Sequence, residues 1–135
     1  MSAANLKRFQ PRVPAVVLVV EDDVLTRFTV ADELRTSGFK VLEASTGADA
    51  ISILETVPVD LVFTDIYIPG RLGGLDVAEA ARGLRPAPHI ILTSGRLRPD
   101  DIPNVRELGP FIAKPYLLSR VVDVVRRMLD SGDGV

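Results

Sequence analysis

Three short apolar runs in this chain each stop at a charged residue, and few folds accommodate that arrangement. Val16–Val20 gives way to Glu21-Asp22-Asp23, residues 61–64 to Asp65, and Phe111–Ala113 to Lys114-Pro115. Runs this short and this nearly uniform read as strands buried on both faces, as in a parallel sheet covered by helices. In such sheets ligands bind beyond the carboxyl ends of the strands. The pattern therefore predicts that carboxylates and a lysine meet along one edge.

Between the runs the apolar period changes to that of helices. Val24, Phe28, Ala31 and Leu34 predict the inner face of a first helix ending near Gly38, and residues 40–43 a short second strand. Thr46 is a candidate N-cap for a helix with Ala50, Ile53, Leu54 and Val57 inward, closed by Pro58. A long glycine-rich loop over 67–74 leads into a helix over 75–84, with Val77, Ala80, Ala81 and Leu84 inward. Residues 89–93 supply a fourth strand, and residues 117–129 a last helix with Val121, Val122, Val125 and Met128 inward. Five βα units of this kind predict an α/β, doubly wound five-stranded parallel sheet with helices on both faces. One segment breaks the rhythm. Pro99 and Pro103 fall where a fourth helix belongs, and an interior proline removes a backbone donor, so that helix is expected to be short or irregular.

At 135 residues with 47% hydrophobic content, the chain suits one domain with a single core, expected over 15–130. Residues 1–14, with Pro11 and Pro14, read as a flexible N-terminal leader, and 131–135 as a C-terminal tail. A formal net charge of −2 argues against a general nucleic-acid binder. The absence of cysteine rules out disulfides, Cys-ligated zinc and a Cys nucleophile, and suits the cytosol. Lys7, Arg8 and Arg12 before an apolar run resemble a signal peptide superficially. Pro14 interrupts that run, three acids follow it, and no small-residue cleavage pattern appears. No run approaches the ~18 apolar residues of a membrane span. A soluble, cytoplasmic protein without membrane partners is expected.

Glu21 and Asp22, one strand away from Asp65, would place like charges at one edge, where each disfavours ionisation of the others unless a cation neutralises them. Mg²⁺ suits such a place, being a hard ion held by one or two carboxylates, waters and phosphate oxygens. The backbone carbonyl of Tyr67 could complete the set. An aspartate there can act as a nucleophile toward phosphorus, with the Lys114 ammonium and Thr93 hydroxyl offered to the phosphoryl oxygens. Each residue also has a plainer reading. Asp22 or Asp23 could N-cap the first helix, Asp65 and Thr93 could serve strand-end turns, and Lys114 could be a solvated lysine. His89, the only histidine, lies at the opposite end of its strand and reads as structural.

The motifs Val-Leu-Val-Val-Glu21-Asp22-Asp23, Phe-Thr-Asp65-Ile-Tyr-Ile-Pro69-Gly, Ile-Leu-Thr93-Ser94-Gly and Phe111-Ile-Ala-Lys114-Pro115 resemble the receiver domain of bacterial two-component response regulators. The likeness runs in order over about residues 15–130. It implies a flavodoxin-like strand order 2-1-3-4-5. It also implies that Asp65 is the phosphoacceptor, and that Glu21, Asp22, Asp65 and the Tyr67 carbonyl hold Mg²⁺. By the same resemblance Thr93 is the switch hydroxyl, Lys114 the lysine that contacts the phosphoryl group, and Phe111 the aromatic that changes rotamer on activation. The implied donor is a phosphohistidine on a sensor histidine kinase. The only catalysis implied is the chain's own phosphoryl transfer and dephosphorylation.

The Thr-Ser-Gly and Lys-Pro-Tyr contexts resemble small stand-alone receivers associated with alphaproteobacterial kinases. With the chain ending soon after its last helix, no output domain is expected. Signalling would then pass through an unknown downstream protein, a phosphorelay partner or a phosphorylation-dependent dimer. Three departures stand out: Phe111 replaces the usual tyrosine, the loop at 69–74 is one residue longer than common, and prolines break the 97–109 segment. Two other readings remain. A pseudo-receiver would keep the fold and bind proteins without being phosphorylated. A haloacid-dehalogenase-like phosphatase resembles Asp-x-Asp, whereas here Tyr67 stands at the second position.

Overall fold

The computed structural model describes residues 13–131, so the expected leader and tail lie almost wholly outside the described residues. Strands β1 (Val16–Val20), β2 (Lys40–Ala44), β3 (Leu61–Asp65), β4 (His89–Ser94) and β5 (Phe111–Ala113) pair in parallel in the order β2-β1-β3-β4-β5. The helices are α1 (Val24–Thr36), α2 (Gly47–Thr56), α3 (Gly74–Arg82), α4 (Val105–Leu108) and α5 (Leu118–Ser131). The expected fold class and strand order are both present.

Alternation along each strand divides the core in two. Leu18, Val20, Val62, Ile90 and Leu92 pack with Ala50 and Leu54 of α2, Val77 and Ala81 of α3, and Val105 of α4. Val17, Val19, Leu61, Phe63 and Ile91 pack on the other face with Val30, Ala31 and Leu34 of α1 and Val121 and Val125 of α5. Because both faces are covered, β1 is apolar and buried at every position and β3 is apolar up to its polar end, which is why they read as continuous runs, whereas the edge strand β2 carries exposed Lys40 and Glu43. Each buried aliphatic side chain contributes about 1.5–3 kcal/mol.

Several inward residues differ from expectation. In α1, Val24 and Phe28 are exposed at 68% and 53%, and the inner face instead runs through Arg27, Val30, Ala31 and Leu34. Arg27 takes an inward position because its guanidinium finds acceptors there, the Glu21 carbonyl at 2.9 Å and Glu43 at 3.2 Å. Ala78 is buried where Ala80 was expected, and Leu129 joins the α5 stripe beside half-buried Met128. Val57 caps the end of α2 and is 36% exposed.

The proline-interrupted segment forms a 3-10 turn, Pro99–Asp101, followed by the single turn of α4. Asn104 enters α4 in a left-handed conformation (φ 63°), and Val105 is the buried residue that anchors it to the core. The fourth helix is thus short, as expected. The long loop after β3 is held by buried Ile66 and Ile68 and turns at Gly70 (φ 114°). It ends where Gly74 packs so closely on the Asp65 carbonyl that a Cβ would collide with it. The start of α3 is thereby pressed against the carboxyl end of β3.

Register places the polar strand ends together. Val20 lies beside Thr64, Asp65 beside Thr93, and Ser94 beside Ala113. Glu21, Asp65 and Lys114 therefore leave the sheet along one edge.

Candidate functional site

An open cleft of about 440 Å³ lies at that edge, lined by Glu21, Asp22, Asp23, Asp65, Tyr67, Pro69, Ser94, Gly95, Arg96 and Lys114. Asp65, the last residue of β3, is only 6% exposed. Its Oδ1 accepts the Tyr67 N–H at 3.0 Å, and its Oδ2 accepts from Lys114 Nζ at 2.6 Å. The same ammonium donates to Glu21 Oε1 at 2.5 Å. Lys114 thus bridges two carboxylates that leave the sheet from neighbouring strands.

The three acids after β1 have separate roles. Glu21 is buried; its Oε2 accepts the Asp23 N–H at 3.1 Å, and its carbonyl accepts from Arg27. Asp23 is the N-cap of α1, accepting from the Thr26 N–H at 2.8 Å and the Thr26 hydroxyl at 2.6 Å. These bonds hold its carboxyl below the usual aspartate range. The capping alternative therefore applies to Asp23. Asp22 is exposed, faces the cleft, and makes no side-chain hydrogen bond among the described residues.

Burial and the shared Lys114 ammonium set the electrostatics of the cluster. Burial pushes the Glu21 carboxyl above the usual glutamate range, and the Lys114 ammonium and the Asp23 N–H only partly offset it. For Lys114 the balance falls the other way. Burial pulls the ammonium down, but hydrogen bonds to Asp65 and Glu21 and the charges of both hold it well above the usual lysine range. A buried acidic pair sharing one ammonium retains demand for a further cation.

The donor set fits a hard divalent ion, since Glu21, Asp22 and Asp65 offer carboxylate oxygens to one solvent-open cleft. Among the described residues, however, no three acids or histidines form a ready cage. Lys114 already engages Glu21 and Asp65, while Asp22 stands free in the cleft wall. The expected convergence of the three acids is therefore a shared cleft and not a preformed coordination shell.

Thr93 is fully buried, and its hydroxyl donates to the Ile112 carbonyl at 2.6 Å rather than toward the cleft. Phe111 is half-buried, packs against the cluster that includes Val105, and lines a groove with Pro99 and Arg106. Tyr116 stands behind the site with its ring edge-on to Phe63, the centroids 5.9 Å apart. Its buried hydroxyl has no hydrogen-bond partner among the described residues, and burial pushes it up to about 12.

Sequence reasoning gave no role to three residues of the site. Ser94 lines the cleft, and its Oγ accepts the N–H groups of Arg96 and Leu97 at 3.1 and 3.0 Å. The Arg96 guanidinium lies over the Tyr67 ring, 4.4 Å from its centroid. Arg27 anchors the backbone of the acidic loop. Arg96 follows a strand end much as Lys114 does, and that signal could have found it; nothing local marks Arg27.

Comparison with known proteins bears on the family and the fold. The chain is 33% identical over 116 residues to the transcriptional regulatory protein PdtaR of Mycobacterium tuberculosis, covering 84% of this chain and 56% of that one. It is 31% identical to the aerobic respiration control protein ArcA of Escherichia coli, over 86% of this chain and 50% of that one. It thus spans about half the length of these curated relatives. Among solved structures, a CheY-like response regulator receiver domain protein from Methanospirillum hungatei superposes with a TM-score of 0.79 at 24% identity, covering 87% of this chain and 94% of that one. A response regulator receiver protein from Sinorhizobium medicae gives 0.77 at 25% identity, covering 87% and 95%. Among the described residues, no helix is long and apolar enough to cross a membrane. The response regulator receiver domain family matches residues 17–126, with Asp65 and Lys114 inside the matched span, and the chain belongs to that family.

Proposed function

We propose that this chain is a phosphorylation-dependent switch that accepts a phosphoryl group on Asp65 from a phosphohistidine of a sensor histidine kinase. The observation that carries the reading is the buried Asp65 carboxylate, joined to Glu21 through Lys114 at the floor of an open cleft. In the transfer, an Asp65 carboxylate oxygen forms a bond to phosphorus as the phosphorus–nitrogen bond breaks, and the imidazole leaves. Mg²⁺, held by Glu21, Asp22, Asp65 and the Tyr67 carbonyl, would neutralise charge on the phosphoryl oxygens.

The chain's own residues do the rest. Lys114 releases Glu21 and donates to a phosphoryl oxygen while remaining beside Asp65. Thr93 exchanges its bond to the Ile112 carbonyl for one to the phosphoryl group, which adds about 1.5–2 negative charges. Ile112 adjoins Phe111, so loss of that bond frees the edge of β5 and lets Phe111 repack. The two arrangements pre-exist in equilibrium, and phosphorylation shifts their populations. The changed surface around α4, β5 and α5 alters association with a downstream protein, a phosphorelay partner or a second copy. The setting is the cytoplasm, where the kinase presents its phosphohistidine. The only catalysis is the chain's own phosphoryl transfer and dephosphorylation.

Incubation with Mg²⁺ and acetyl phosphate tests this. A base-labile phosphoprotein is expected, absent in Asp65→Asn and without added Mg²⁺. A second reading, a pseudo-receiver that is never phosphorylated, draws on Lys114 already filling the space between two acids and on Thr93 facing away. No adduct from either acetyl phosphate or a phosphorylated kinase would favour it. Turnover of many phosphate esters would instead indicate a phosphatase.

A further inference from the structure

The cleft wall carries four carboxylates, Glu21, Asp22, Asp23 and Asp65, against two cations, Lys114 and Arg96. Lys114 is committed to two acids. Arg96 is committed to none; among the described residues its guanidinium meets only the face of Tyr67. Both halves of that contact are tied to the site. The Tyr67 N–H donates to Asp65 Oδ1, and the Arg96 N–H donates to Ser94 Oγ at the end of β4. The guanidinium is therefore suspended at the cleft mouth from the β3 and β4 sides together.

We propose that Arg96 is a phosphoryl-contacting residue, parked on Tyr67 in the free protein and transferred to the phosphoryl oxygens when a phosphodonor or the acyl phosphate occupies the cleft. The inference rests on the reading of Asp65 as acceptor. A guanidinium over an exposed ring is weakly held, whereas its planar fork matches two phosphoryl oxygens and gains charge-assisted hydrogen bonds there. The exchange is downhill once a dianion arrives, and Lys114, a point charge that gives up Glu21 to reach one phosphoryl oxygen, offers no planar fork to a second. Arg96 thus sets affinity for the anionic phosphoryl group, and its departure from Tyr67 couples occupancy to the loop after β3.

The test is titration of Mg²⁺-loaded protein with beryllium fluoride, a mimic of the acyl phosphate, followed by NMR. Arg96→Gln should weaken beryllium fluoride binding about tenfold, the loss of one charge-assisted contact, and Arg96→Lys should recover part of it. Mg²⁺ alone should bind Arg96→Gln as well as or better than wild type, because a repelling cation has gone. Collapse of the loop would weaken both ligands. In wild type, the Arg96 side-chain Nε–H signal should shift as beryllium fluoride binds. Arg96→Gln binding within twofold of wild type, an unmoved Nε–H signal, or parallel loss of Mg²⁺ binding would overturn the proposal. Failure of wild type to bind beryllium fluoride would instead remove the acceptor reading beneath it.

Discussion

Replacing Lys114 with alanine separates the two things its ammonium does, holding the fold and occupying the cation position. The side chain is 24% exposed and bonds two acids that are themselves buried. Removing one partner of a buried ion pair costs about 3–5 kcal/mol. Because the ammonium borders an open cleft, screening reduces the expected loss to about 2 kcal/mol. For a domain of this size that lowers Tm by roughly 6–10 °C.

The variant should also acquire a pH dependence. Burial already raises the folded-state pKa of Glu21, and without the Lys114 ammonium, which lowers it, that pKa rises further. A raised carboxyl contributes stability that is fully present below its unfolded value and is lost as pH rises through its folded value. Acidifying from about pH 8 to about pH 5 should therefore recover part of the lost Tm in the variant, and less in wild type. Mg²⁺ gives the opposite readout, since the vacated acids now attract it unopposed. Calorimetric melts across pH, with and without Mg²⁺, should show Mg²⁺ stabilising Lys114→Ala more than wild type. A variant that melts within about 1 °C of wild type, or gains no more than wild type from Mg²⁺, would refute the account of the cluster.

Three further outcomes follow from single contacts. Tyr116→Phe removes a buried hydroxyl that has no partner among the described residues, so urea denaturation should show a gain of about 1 kcal/mol; a loss would mean that the hydroxyl is satisfied in solution. Gly74→Ala drives a methyl group into the Asp65 carbonyl and should cost about 1–3 kcal/mol, with amide shifts concentrated at Asp65 and Ile66; unchanged stability would contradict the close packing there. Thr93→Val breaks the hydroxyl bond to Ile112 and should cost about 1 kcal/mol. That variant should still be phosphorylated by acetyl phosphate but lose the NMR response at Phe111, and an intact response would remove Thr93 from the coupling.

Much of this arrangement was legible in one dimension. An apolar run that stops at an acid records that a strand is buried on both faces and then emerges, and both facts belong to adjacent residues. Strand identities, the short fourth helix and the gathering of Glu21, Asp65 and Lys114 at one edge follow from that local record. The helix faces were less legible. Val24 and Phe28 keep perfect helical spacing with Ala31 yet point outward, because Arg27 finds oxygen acceptors over the sheet that no periodicity announces.

Through-space pairing alone settled the rest. Lys114 stands 93 residues from Glu21 and 49 from Asp65, so its choice to bridge both depended on distances across the folded sheet. The same holds for Asp23 as the cap in place of Asp22, for Thr93 turning to Ile112, and for Arg96 lying over Tyr67. Hydrophobic period is written along the chain because each residue meets its own neighbours in an element. The partner of a polar side chain is fixed by hydrogen-bond geometry good to tenths of an ångström, and that exists only once distant strands have docked.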